Sequence, residues 1–89
     1  MTLLEKVKVA LRINHDYLNA DINDTIATAR QEMIRAGVDS EAANGDGDLV
    51  VMAIKTYCLF VYATEKAKEG FWNSWEYQLD CIRKSNLGE

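Results

Sequence analysis

The sequence predicts an all-α fold, a small four-helix bundle built around one long apolar helix. Between residues 49 and 63 only Lys55 carries a charge, and apolar side chains point in nearly every direction around a helical wheel. A helix of this kind must be wrapped by other elements or by lipid, and the run is shorter than the roughly 18 to 20 apolar residues of a membrane span. Apolar residues recur at helical spacing elsewhere, and proline is absent.

The first helix has a clear start signal. Thr2 and Glu5 have the spacing of a capping box, in which the hydroxyl and the carboxylate bond each other's backbone N–H groups. This predicts a helix over residues 3–12. Its buried stripe consists of Leu4, Val7 and Leu11.

The second helix is predicted to open at Asn19 or Asp21, both favourable N-cap residues, and to end near Ala36. Gly37 then suits the left-handed position that follows many helix C-termini. The predicted apolar face steps by four, three, four and three residues, through Ile22, Ile26, Ala29, Met33 and Ala36.

A loop is expected over residues 39–47, before the central helix. Asp46, Gly47 and Asp48 faintly resemble part of a calcium loop, but an EF-hand needs ligands spread over about twelve residues. The apolar run begins at Leu49, so the ligand series stops too early. We therefore interpret Asp48 as the N-cap of a central helix that extends over about residues 48–69.

Gly70 is expected to end the central helix, and a fourth helix follows over residues 73–84. Its face holds Trp72, Trp75, Leu79 and Ile82. Either these aromatic residues complete the core, as we expect of Trp75, or some stay exposed as interface anchors. Both interpretations stay open for Phe71 and Trp72, and Tyr77 points away from the predicted core face.

The sequence contains no cluster that predicts catalysis. Cys58 and Cys81 lack the CxxC spacing of metal and redox sites, and we expect them to be free thiols. His15, the single histidine, lies in a polar turn without an evident partner. We therefore expect no enzyme activity, no cofactor and no metal site.

Charge and length bound the class of protein. The net charge of −4 argues against broad nucleic-acid binding, which depends on clustered Lys and Arg. A helix-turn-helix regulator would need a basic recognition helix, whereas the predicted second helix has two arginines and three acidic residues. We expect a single helical domain over residues 1–89, without a signal peptide or a membrane segment, in the cytosol.

Several segments together resemble the tailed-phage head–tail connector proteins, also called adaptor or head-completion proteins. The series begins with VKVALRIN at residues 7–14 and with Asp16, which is similar to the helix, LRI-type motif and acidic turn that open that family. An apolar helix with an acidic start follows from Asp48, and YATEK at residues 62–66 is similar to a segment in which such helices often continue. The closing helix matches at Leu79, Ile82 and Arg83.

The resemblance implies a structural protein of a virion or prophage. About a dozen copies would form a ring that joins the portal protein to a stopper or tail-completion protein. That ring would extend the DNA channel, without sequence-specific DNA binding or a membrane. The protein would be found in the virion, and in the host cytoplasm during assembly.

The candidate contact residues all lie in or near the last helix. Arg83 and Lys84 are the only adjacent basic pair in the chain and close that helix beside the aromatic residues. Many members of the family have a proline-containing turn before the last helix, where this chain has Gly70-Phe71-Trp72. The predicted interface residues are Phe71, Trp72, Tyr77, Arg83 and Lys84. The alternative is a small cytosolic adaptor that binds a partner protein through this aromatic helix.

Overall fold

The structure, a computed structural model, describes the backbone of residues 2–87 and the side chains of residues 2–84. The described residues contain no β-strand, which confirms the all-α prediction. Within residues 2–87, four longer helices and one single-turn helix follow one another, and α4 packs against α1, α2 and α5. The helices are α1 (Leu3–Leu11), α2 (Asn19–Arg35), α3 (Ser40–Ala43), α4 (Asp48–Tyr62) and α5 (Glu65–Leu87).

The predicted capping box at the start of α1 is confirmed. Thr2 Oγ1 accepts a hydrogen bond from Glu5 N at 3.2 Å, and Thr2 N donates to Glu5 Oε1 at 3.0 Å. These bonds from Thr2 hold the pKa of Glu5 below its ordinary value. At the other end, Arg12 adopts a left-handed conformation with φ 60°, so α1 ends one residue earlier than predicted.

The end of α2 also follows the prediction. Gly37 has φ +102°, its N–H donates to the Ile34 carbonyl, and the Val38 N–H donates to the Met33 carbonyl. Together these bonds form a Schellman motif. The predicted polar N-cap is wrong, because Leu18 holds that position and Asn19 is already helical. The Asn19 side chain instead donates to the Asp16 carboxylate at 3.3 Å.

The predicted loop at residues 39–47 contains the short helix α3. The Asp39 carboxylate caps it by accepting hydrogen bonds from the N–H groups of Glu41 and Ala42. Arg30 from α2 donates to the carbonyls of Ala43 and Gly45 at 2.8 and 2.7 Å. A cation bonded to the last carbonyls of a helix satisfies acceptors that have no partner within it. Arg30 therefore ties α3 to α2.

The core forms where α4 meets the apolar stripes of its neighbours. Ile54 and Cys58 of α4 are fully buried, and Trp75 is nearly so, as expected for its predicted core position. Leu59, which the apolar run placed in the core, is only partly buried. The buried apolar residues of the other segments are Val7, Ile22, Ile26, Ala29, Met33, Val38, Ala43, Leu79 and Ile82.

The boundary between the last two helices differs from the prediction. The central helix begins after an N-cap at Gly47, so Asp48 is its first residue rather than its cap. It ends at Tyr62, not near residue 69, and α5 runs through Gly70 without a break. Ala63 is extended, with φ −77° and ψ 159°, and turns the chain back. Only this reversal lets α5 bury its apolar stripe against α4.

Candidate protein interfaces

The five predicted interface residues do not form one surface. Trp72 and Arg83 both line a cleft between α2 and α5. Phe71 is partly buried, whereas the Tyr77 side chain is 70% exposed. Lys84 is exposed and lies seven positions from Tyr77, two turns along the same helix. The predicted residues thus lie on different sides of α5, and Phe71 and Arg83 are only partly exposed.

Arg83 is engaged within the chain. Its Nη1 donates to the Ala36 carbonyl at the C-terminus of α2 at 2.6 Å, and its Nη2 lies 3.6 Å from the Asp80 carboxylate. A Cβ at Gly37 would lie 3.4 Å from the Arg83 side chain, so the guanidinium arm crosses the end of α2 closely. This internal role was not predicted, because the bond joins residues that are far apart in sequence.

Lys84 makes a more local contact. Its Nζ lies 2.9 Å from Asp80 Oδ2, an i, i+4 pair on the surface of α5. The hydrogen bond to Asp80 raises the pKa of Lys84, and the same bond lowers the pKa of Asp80. Exposed pairs of this kind contribute little stability, so Lys84 stays available for contact with another molecule.

An aromatic cluster leads from the core to the cleft. The Tyr57 ring lies 4.9 Å from Trp75 and 6.1 Å from Phe60, and Phe60 lies 5.1 Å from Trp72. Trp75 is buried, whereas Trp72 is 37% exposed. These tilted arrangements are favourable for aromatic pairs and hold Trp72 in place. The cleft therefore has one rigid, half-exposed aromatic wall.

The cleft has a volume of about 290 Å³ and a rim of both charge signs. Glu32 and Arg35 from α2 form an ion pair at 3.5 Å on one side. Glu76 and Arg83 stand on the α5 side. Apolar and charged groups in one groove could hold an amphipathic peptide helix.

A second surface lies on the outer side of α4, along the seam that the seven-residue spacing of Lys55 and Tyr62 predicts. Met52 is 51% exposed and Tyr62 is 39% exposed, while Leu59 between them is partly buried. These residues lie at helical spacing on one face, which the other described helices cover only in part. The spacing of Lys55 and Tyr62 indicated this side of α4, whereas the exposure of Met52 was not predicted.

Lys55 belongs to the same side of α4. Together with Lys6, Asp48 and Met52, it lines a shallow depression there. The seven-residue steps of Lys55, Tyr62 and Glu69 predict a polar seam along one helix. In the structure that seam is interrupted, because Glu69 belongs to α5. We refer to Met52, Lys55, Leu59 and Tyr62 as the α4 outer face.

Acidic groups concentrate around α3. No Lys or Arg occurs between residues 36 and 54, a stretch that contains Asp39, Glu41, Asp46 and Asp48. Arg30 reaches this region, where its Nη2 lies 3.5 Å from Asp46 Oδ1, but both hydrogen bonds of its Nη1 go to backbone carbonyls. The segment around α3 therefore has more acidic than basic side chains, with Arg30 as the cation that reaches it.

The thiols and the histidine are separated in the structure. Cys58 is fully buried, and burial raises the pKa of its thiol to about 12, which disfavours the reactive thiolate. Cys81 is partly buried. His15 is exposed, and its Nδ1 accepts a hydrogen bond from the Tyr17 N–H at 3.3 Å. Within residues 2–84, no three His, Cys, Asp or Glu side chains are grouped as a metal site would require.

Among the described helices, none combines the length and hydropathy needed to cross a membrane. Searches of protein families, curated proteins and solved structures found no significant match to this chain.

Proposed function

We propose that this chain is a structural protein of a tailed phage or prophage, and that its copies form a ring connecting the portal to the tail. The sequence resemblance suggests the role, and the order of helices is compatible with it. A short α1 ends at the LRI motif, and the acidic turn follows, where Asp16 pairs with Lys8 at 2.8 Å. An amphipathic α2, the apolar α4 and a closing α5 come next.

The α4 outer face is the observation that carries this proposal. Met52 and Tyr62 leave apolar surface in water on the helix that otherwise forms the centre of the core. Exposed apolar patches mark interaction sites in soluble proteins, and the partly buried Leu59 lies between these two residues on the same face. In a ring, each copy would cover this face with a different surface of the next copy, which is the geometry of a heterologous interface.

The acidic surface beside α3 suits a channel wall. A wall of negative charge repels phosphate, so DNA could slide past it without being retained. In the proposed ring, the surface that includes Asp39, Glu41 and Asp46 faces the channel.

Assembly tests the proposal directly. The purified protein, alone and with portal-bearing capsids, is examined by light scattering and negative-stain microscopy. We expect closed rings of about a dozen copies, at least on the portal. Met52→Lys and Tyr62→Lys should prevent ring formation while leaving the melting temperature nearly unchanged. Gln31→Lys is the control, because this substitution adds the same charge on the exposed polar side of α2.

The proposal fails if the protein stays monomeric with portal-bearing capsids, or if both α4 variants assemble like the Gln31 control. Gene neighbourhood provides a second test, since portal and capsid genes should lie beside the gene for this chain.

The cleft between α2 and α5 favours a second candidate function, that of a small adaptor. A partner helix would insert an apolar side chain against Trp72 and place charged groups opposite Glu32 and Arg35. Such an adaptor forms a dimer or heterodimer rather than a closed ring. Trp72→Ala should then abolish partner binding, whereas the α4 variants should not.

A further inference from the structure

The connection between α4 and α5 consists of two residues, Ala63 and Thr64. Neither glycine nor proline occurs between residues 48 and 69, and Ala63 is the residue type with the highest helix propensity. The local sequence therefore favours a helix through the break. The conformation of Ala63 departs from a helix mainly in ψ, at 159°.

Contacts across the α4–α5 hairpin maintain the break. Lys68 Nζ donates to the carbonyls of Phe60 and Val61 at 3.0 and 3.3 Å, and lies 5.0 Å from the centre of the Phe60 ring. Lys68 thereby satisfies acceptors that would bond to N–H groups at 64 and 65 in a continuous helix. Farther along, Trp75 packs on Tyr57.

None of the packing between α4 and α5 requires that both helices belong to one chain. A continuous helix over residues 48–87 would be about 60 Å long at 1.5 Å per residue. The folded chain is 40 Å in its longest dimension. The straightened helix would therefore project from its own domain and carry Trp75, Leu79 and Ile82 away from the core that they complete.

We propose that α4 and α5 can join into one helix, and that two copies of this chain then exchange α5. Each α5 occupies the α4 surface of the other copy, where Trp75 meets the other Tyr57 and Arg83 meets the other Ala36 carbonyl. The exchange restores the α4–α5 packing in trans and adds helical hydrogen bonds at residues 63–66, in place of the Lys68 cap. This interaction does not depend on the proposed ring.

Substitutions at the break should shift the equilibrium between the hairpin and the continuous helix, in opposite directions. Thr64→Ala favours the continuous helix and should increase the dimer fraction after refolding at high concentration. Glu65→Pro keeps the hairpin, because proline is well tolerated in the first turn of a helix. In the continuous helix the same proline removes a hydrogen bond and clashes with the Val61 carbonyl. It should weaken the exchanged dimer by at least about 100-fold.

Glu65→Ala is the matched control, since it removes the same side chain but allows both conformations. Light scattering across a concentration series measures the dimer, and circular dichroism with thermal melting verifies that each variant folds. The proposal is supported if Thr64→Ala dimerises more than wild type and Glu65→Pro, though folded, stays monomeric. A dimer that persists in folded Glu65→Pro, or the absence of any dimer in refolded Thr64→Ala, overturns it.

Discussion

Three basic side chains hold the bundle together at helix C-termini. Arg30, Lys68 and Arg83 donate to carbonyl oxygens at the ends of α3, α4 and α2 respectively. Each bond adds a donor to carbonyls at a helix end and places a cation at the negative end of the helix dipole, and the Phe60 carbonyl also accepts from the Ala63 N–H. These cations join elements that the sequence presents as separate, and their charges are less available to external partners.

Truncation of Arg83 should destabilise the fold. Arg83→Ala removes the hydrogen bond to the Ala36 carbonyl, and we expect a loss of about 1 to 3 kcal/mol in the free energy of unfolding. Lys84→Ala, the neighbouring control, should change stability little because its pair with Asp80 is on the surface. Urea denaturation measures the free energy of unfolding of both variants. Equal stabilities of the two variants would contradict the internal role of Arg83.

The core assignment predicts different costs for two residues of α4. Ile54→Ala should lower the free energy of unfolding by roughly 2 to 5 kcal/mol, because the side chain is fully buried. Leu59→Ala should cost less, since Leu59 is partly exposed on the α4 outer face. Denaturation of the monomeric protein tests this ranking. A larger effect at Leu59 would show that the burial of α4 is assigned to the wrong side.

Cys58 should contribute to the pH dependence of stability. Its pKa rises from 9.0 to about 12 on burial, so the fold favours the protonated thiol. The corresponding stabilisation is complete below about pH 9 and is lost as the pH rises from about 9 toward 12. The difference in unfolding free energy between wild type and Cys58→Ala should therefore narrow from pH 8 to pH 11.

Cys81→Ala is the control for this alkaline series, because the Cys81 side chain is only partly buried. A constant difference between wild type and Cys58→Ala across the range would contradict the effect assigned to the buried thiol.

At the scale of the helices, replacement by alanine at two different glycines should change the stability of the protein in opposite directions. Gly37→Ala forces a side chain into φ +102° beside Arg83, and should destabilise the protein by about 1 kcal/mol or more. Gly70 lies inside α5 with open space around it, so Gly70→Ala should stabilise by about 0.5 to 1 kcal/mol. Thermal melting of both variants tests the pair. A loss of stability at Gly70 would indicate that α5 bends there.

For the whole molecule, the charge distribution predicts no sequence-specific complex with duplex DNA. The net charge is −4, and the surface beside α3 has several acidic groups and no lysine or arginine of its own segment. Gel shifts with phage or bacterial genomic fragments should show no complex at low or moderate salt. A band that resists both salt and competitor DNA would refute this prediction.

Features that depend on neighbouring residues could be predicted from the sequence. The capping box at Thr2, the glycine after α2 and the apolar stripe from Ile22 to Met33 are short-range signals, and the structure agrees with each. The burial of Trp75 also followed from helical spacing. The candidate interface was less predictable, because exposure of an aromatic residue depends on which helix packs beside it.

Where α4 ends and what Arg83 contacts depend on packing between segments that are distant in sequence. Residues 63–69 favour a helix locally, yet the chain reverses at Ala63 because burial of the α5 stripe against α4 outweighs two residues of lost helix. On α4, Lys55 and Tyr62 indicated the more open side, but the exposure of Met52 depends on what the three neighbouring helices cover. Arg83 donates a hydrogen bond to the Ala36 carbonyl across 47 positions of sequence. No local pattern encodes this bond, because the packing of α5 beside α2 brings the two residues together.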